Sequence, residues 1–132
     1  MLRQRAAAQY RQIDVASGVE AASPHRLVQM LMQGVLQRVA EARGALERGE
    51  VAARGEAIGK AMDILLGLQG ALNRELDTDL PDRLDALYDY MQRRLAEANL
   101  HGDDRRLVEV AELMRSLKEG WDGIAPEVAA AG

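Results

Sequence analysis

LPDRLDALYDYMQRRLAEAN, residues 80–99, decides the fold class. Leu84, Leu87, Tyr88, Met91, Leu95 and Ala98 recur at steps of three and four, and at about 100° per residue this spacing places them all on one side of a helix. A helix with a single apolar face is marginal alone in water and calls for partners that bury that face. Asp79 is placed to cap its start, and Pro81 suits a first turn because its missing amide would have had no partner there. Gly102, just past Leu100, suits a left-handed stop. Tyr90 stands about 240° from Leu84 on the helical wheel, well off the stripe, although it is bulky and partly apolar. Tyr88 is therefore expected to hold the core, and Tyr90 to fall on a side open to a partner.

Composition extends the helical reading to the whole chain. Apolar residues make up 48% of 132, aromatics only 3%, and there is no Phe, so the interior must be built from Leu, Val, Ala, Ile and Met. β-Branched residues are sparse and no run alternates as a half-buried strand does. The length suits a single domain with a real core. The absence of cysteine excludes a disulfide framework, a thiolate metal site and a Cys nucleophile, and points to a reducing compartment. The opening MLRQRAAAQYRQID is basic and polar, without the apolar run of a secretory signal, and no apolar span approaches the roughly 18 residues of a membrane helix. The expectation is a soluble cytoplasmic protein with no membrane insertion. A net charge of −4, with charges of both signs interspersed, argues against a nucleic-acid partner.

Taken in order, residues 1–22 read as an arm, because Leu2, Tyr10, Ile13, Val15 and Val19 are too few and too unevenly spaced to bury a helix. Tyr10 and Ile13, three apart, are placed to dock reversibly on the body. Ser23 before Pro24 marks a helix start, and Val28, Leu31, Val35, Val39, Ala42 and Leu46 form a stripe running to about Glu47. Arg48-Gly49-Glu50 is a connection short enough to fold the next helix back antiparallel. That helix, 51–73, carries Ile58, Ala61, Met62, Leu65, Leu68 and Leu72. Gly55, Gly59, Gly67 and Gly70 should soften it, each at about 1 kcal/mol relative to Ala. After the 80–99 helix, Asp103 is the expected cap of a last helix, 104–124, striped by Leu107, Val110, Met114, Leu117, Trp121 and Ile124. Pro126 stops it, leaving 126–132 as a loose tail. The fold class is all-α: an antiparallel four-helix bundle over 23–125 with a mobile N-terminal arm.

Chemistry is sparse. The Glu-x-x-His pairs of a di-iron bundle are absent. His25 and His101 sit near helix ends, where a surface or dipole-facing imidazole is ordinary, and not mid-helix as phosphotransfer would need. Asp77, Asp79 and Asp82 lack the glycine and further ligands of a calcium loop and read as linker and cap residues. There is neither a phosphate-binding glycine loop nor a GxSxG elbow. No enzyme, metal or cofactor is expected. What remains is surface: Met30, Leu36, Ile64, Leu66, Tyr90, Val108 and Leu113 point away from the stripes, and gathered into a groove they would receive amphipathic helices. Ile64 and Leu113 flank their stripes on the same angular side. The candidate partner-binding set is Tyr10, Ile13, Ile64, Leu68, Tyr90, Leu113 and Leu117.

Tyr10 with Ile13 and Val15, Ala22-Ser23-Pro24-His25-Arg26-Leu27, Lys60-Ala61 with Ile64, Leu87-Tyr88-Asp89-Tyr90-Met91, Leu95, Ala98-Asn99 and Trp121 follow one another in an order that resembles the flagellar secretion chaperones, the FliS family. The resemblance runs from about Tyr10 to Ile124. It implies a cytoplasmic, non-enzymatic chaperone that binds the disordered C-terminal segment of flagellin in apolar grooves, prevents premature polymerisation and supports type III export. It also implies an arm lying against the bundle through Tyr10, with Ile13 close by, and contacts with other flagellar export or regulatory proteins. The chain departs from the family pattern at Leu31-Met32-Gln33-Gly34-Val35 and at the link 73–81, which lacks a glycine pair, so loop geometry and groove lining are expected to be its own. Two other classes remain open at this point: a helical interaction or regulatory protein with a different partner, and a metal-dependent bundle enzyme.

Overall fold

The computed structural model describes residues 23–124, and over them the chain forms four helices: α1, Pro24–Glu47; α2, Val51–Gly70; α3, Leu80–His101; α4, Asp104–Asp122. Most boundaries follow the local chemistry. The Ser23 hydroxyl accepts from the Arg26 amide at 3.1 Å, and Pro24 occupies the first turn of α1. Gly102 ends α3 at φ 59°, ψ 47°, the left-handed geometry that costs a side chain most and glycine least. The Asp103 carboxylate accepts from the Arg105 amide at 2.9 Å to start α4.

Three boundaries differ from expectation. Asp79 has helical backbone angles and makes no capping bond; its carboxylate pairs with Arg83 at 2.9 Å, and Thr78 Oγ1 instead accepts from the Leu80 amide at 3.3 Å. α2 ends at Gly70 rather than near residue 73, for two reasons. Gly67 and Gly70 weaken its last turn, and the Asn73 side chain accepts from the Glu75 amide at 3.1 Å to form a turn. α4 ends at Asp122, so Ile124, the last member of its stripe, lies beyond the helix and is exposed. Proline disfavours helical geometry in the residue before it, and Pro126 therefore discourages continuation.

Helices adjacent in sequence pack side by side, and α1 also packs on α4. Side-chain bonds give the directions. Arg43 of α1 reaches Asp104 at the start of α4, whereas Gln29 reaches Asp122 at its end. Arg54 of α2 meets Asn99 late in α3, whereas Gln69 meets Asp85 early in it. Tyr90 of α3 meets Glu109 of α4. The result is an up-down-up-down bundle closed into a square.

The stripes supply the core: Leu31, Val35, Val39, Ile58, Leu65, Met91, Leu95, Leu107, Val110 and Met114 are fully buried with Tyr88 among them. Ile64 joins them. Read as a surface residue flanking its stripe, it is 0% exposed, because in a square bundle each helix meets two neighbours and buries an arc wider than one stripe. Its Cδ1 lies 3.1 Å from where a Cβ on Gly34 would sit, so Gly34 makes room for it. Gly55 and Gly59 do not interrupt α2; Gly67 is buried, and a Cβ on Gly55 would lie 3.8 Å from the Asn99 side chain. His25 corrects a second expectation: it is 7% exposed rather than a surface imidazole.

Candidate functional site

One end of the bundle holds an apolar groove. Each helix contributes a pair of side chains four residues apart, which a helix stacks on one face. Val28 and Met32 come from α1, Leu68 and Leu72 from the end of α2 and just beyond it, Leu84 and Tyr88 from α3, and Leu117 and Trp121 from α4. Pro24, Leu27, Ala71 and Asn73 complete the lining of about 720 Å³ of unfilled space, part of it open to solvent. Met32, Leu68 and Tyr88 form the buried floor; Leu27, Val28, Leu72, Leu84, Leu117 and Trp121 are half-buried walls. Among the described residues, Tyr88 is the only titratable side chain in the lining, and burial pushes its phenol well above the ordinary tyrosine range. The groove is thus built to cover apolar surface; near neutral pH it offers no acid–base group.

Polar contacts hold the walls in two pairs. Between α1 and α4, the Trp121 indole N–H donates to the His25 carbonyl at 3.0 Å, and its ring stacks on the imidazole at 5.2 Å and 14°. The Asp122 carboxylate accepts from Lys118 and from Gln29, each at 2.8 Å, and these bonds hold it below the usual carboxylate range. Between α2 and α3, the Gln69 amide, 1% exposed, donates to Asp85 at 2.9 Å and Asp89 at 2.8 Å, and Arg74 pairs with Asp85 at 3.1 Å. The groove runs between these two pairs.

Of the candidate partner-binding residues, the structure brings Leu68 and Leu117 together in this groove. Ile64 is sealed in the core, and Leu113 packs half-buried against the core outside the groove lining. Tyr90 is half-buried on the α3–α4 face, where its hydroxyl donates to Glu109 Oε2 at 2.6 Å while Arg94 Nε donates to Oε1, also at 2.6 Å. The Tyr90 bond, then the Arg94 guanidinium, hold the Glu109 carboxyl below its usual range, and the same bond raises the Tyr90 phenol. Arg93 and Arg94 lie 5.9 and 6.0 Å from the Tyr90 ring centroid. Tyr10 and Ile13 lie outside the described residues. Sequence reasoning passed over most of the groove because Val28, Leu72, Leu84 and Trp121 are ordinary stripe members. The signal was their position: in an up-down bundle the ends of all four stripes nearest Pro24 and Trp121 fall at one level. Among the described residues, no group of three or more His, Asp or Glu side chains is arranged to hold a metal ion, and no helix is long and apolar enough to cross a membrane.

Comparison with known proteins gives a consistent picture. The family model Flagellar protein FliS matches residues 6–128. The chain is similar to a flagellar secretion chaperone FliSB of Pseudomonas aeruginosa, with 47% identity over 125 residues covering 95% of this chain and 99% of that protein. It is also similar to flagellar secretion chaperones FliS of Salmonella typhimurium, 42% identical over 89% of this chain and 88% of the other, and of Vibrio cholerae, 40% identical over 89% and 87%.

Proposed function

Because the chain belongs to the Flagellar protein FliS family, we propose that it is a flagellin-specific export chaperone, acting in the cytoplasm, whose end groove receives part of the disordered C-terminal segment of flagellin. The observation that carries this reading is the convergence of four i,i+4 apolar pairs into one unfilled, solvent-open groove. A disordered client loses conformational entropy when it orders, and only extended apolar burial offsets that loss. Amphipathic turns of the client, with their own apolar residues three and four apart, fit such a lining. Covering them keeps flagellin from polymerising before it is exported.

Leu68 and Leu117 are the contact residues on the body, and Tyr10 and Ile13 of the N-terminal arm cover part of the groove until the client arrives. Tyr90 and Leu113 belong to the path along which the segment continues outside the groove. Ile64 acts behind that surface, by packing. Other flagellar export or regulatory proteins are further partners. Titration calorimetry of the full chain with the C-terminal segment of the cognate flagellin tests the reading. Saturable binding at micromolar concentration is expected, and its absence overturns the assignment in favour of a helical interaction protein with another partner.

A further inference from the structure

The net charge of the chain is confined to one segment. Residues 74–89 carry Glu75, Asp77, Asp79, Asp82, Asp85 and Asp89 against Arg74 and Arg83, an excess of four acids. The whole chain has 21 acids and 17 bases, the same excess, so everything outside this segment balances. The segment comprises most of the α2–α3 link and the first half of α3, and it borders the groove directly: Leu72 and Asn73 lead into it, and Leu84 and Tyr88, within it, line the groove. Asp79, Asp85 and Asp89 are engaged by Arg83, Arg74 and Gln69. Glu75, Asp77 and Asp82 are exposed, and their carboxylates take part in no ion pair or hydrogen bond among the described residues. The facing α1–α4 wall is mixed in sign: Arg26 is exposed and outside the ion pairs, and Asp122 is paired with Lys118.

We propose that the groove's occupant is a basic amphipathic segment. Its apolar residues enter between the α1–α4 and α2–α3 walls, and its lysines or arginines lie along the acidic link, which selects it over equally apolar segments flanked by acids. The proposal rests on the export-chaperone reading and specifies the chemistry and orientation of the client there. Charges at the rim of an interface act over roughly a Debye length, about 10 Å at 0.1 M salt, and set encounter rate and partner choice more than intrinsic affinity. The apolar lining supplies the affinity, and the link supplies the discrimination. It also favours one direction, because a basic flank gains more along Asp77 and Asp82 than along the α1–α4 wall, where charges of both signs offset one another.

The test uses the full chain and two synthetic peptides of about 18 residues with identical leucines at i,i+4 spacing, one with lysine and one with glutamate at the polar positions. Trp121 is the only tryptophan and lines the groove, so its fluorescence reports binding of Trp-free peptides. The lysine peptide should bind about tenfold more tightly than the glutamate peptide at about 50 mM salt, and the preference should shrink at about 500 mM. The triple substitution E75K/D77K/D82K should reverse the order. Equal affinities, or a preference untouched by the triple substitution, would overturn the proposal. So would a preference that vanishes when Arg3, Arg5 and Arg11 are all changed to Gln, which would assign the link to the chain's own first residues. The flagellin segment, titrated alongside, separates the two levels. Its binding with no response to the triple substitution sinks this inference alone, whereas a charge-selective groove that ignores flagellin sinks the export-chaperone reading.

Discussion

The two ends of the bundle are made from the same four helices and differ in how those helices are joined. At one end, α1 runs into α2 through Arg48-Gly49-Glu50, with Gly49 at φ 71°, and α3 into α4 through Gly102-Asp103. Arg54 donates to the Asn99 side chain at 3.2 Å and to its carbonyl at 3.0 Å, tying α2 to α3; Arg43 grips Asp104 through two bonds of 2.8 and 3.1 Å, tying α1 to α4. All four sides of the square are thus fastened. At the other end, α1 begins, α4 finishes, and a longer link over 71–79 joins α2 to α3. Polar contacts there fasten α1 to α4 and α2 to α3. Between α3 and α4, Tyr90 and Arg94 both donate to Glu109 near mid-height, short of this end. The groove lies in that unfastened direction. An opening of this kind comes from connectivity, since the stripes are as apolar at the open end as in the middle.

The contrast can be broken from several directions. Leu107→Ala empties a fully buried site in the fastened body and should cost about 3 kcal/mol in urea unfolding, with any loss of flagellin affinity following only from the unfolded fraction. Gly102→Ala forces a Cβ into φ 59°, 3.3 Å from an Arg54 guanidinium nitrogen, and should cost about 1–2 kcal/mol while leaving Trp121 emission unchanged. Equal perturbation of Trp121 would show that the ends are coupled. Leu84→Ala on the groove wall should cost only about 1 kcal/mol, because part of its surface already meets solvent, yet weaken binding of the flagellin segment at least about tenfold. A matching loss of affinity in Leu100→Ala, exposed at the fastened end, would erase the distinction.

The smallest effect concerns acid. The Arg43 bonds hold the Asp104 carboxyl below its ordinary value, so this pair stabilises the fold above about pH 4 and the contribution disappears as pH falls through the lowered folded-state value. The pair is about half exposed, and solvent screening limits it to a few tenths of a kcal/mol. Melting curves from pH 7 to pH 3 should therefore show Asp104→Asn slightly less stable than the parent at neutral pH and level with it in acid. A gap that persists in acid would mean that the side chain acts by packing.

Much of this was legible without coordinates, and the legible part shares one property: it is local. Ser23-Pro24, Gly102 and Asp103 set helix ends through bonds and angles within three residues of themselves, and stripes at steps of three and four declare helices wherever the chain goes. Local chemistry misled where a second local partner competed, as when Arg83, four residues on, drew Asp79 away from its cap. Ile64 and Leu68 lie about 40° apart on the same helix, and no wheel says that one is sealed while the other floors a groove. That depends on how many neighbours a helix meets and on where their stripes end. The same holds for His25, drawn inside by Trp121 from 96 residues away, and for Gln69, buried because Asp85 and Asp89 receive its amide. The sequence by itself determined the helices, their order and the charge each segment carries, because these follow from short-range geometry and composition. Which end stands open, and which side chains form its walls, was decided only when four helices packed together.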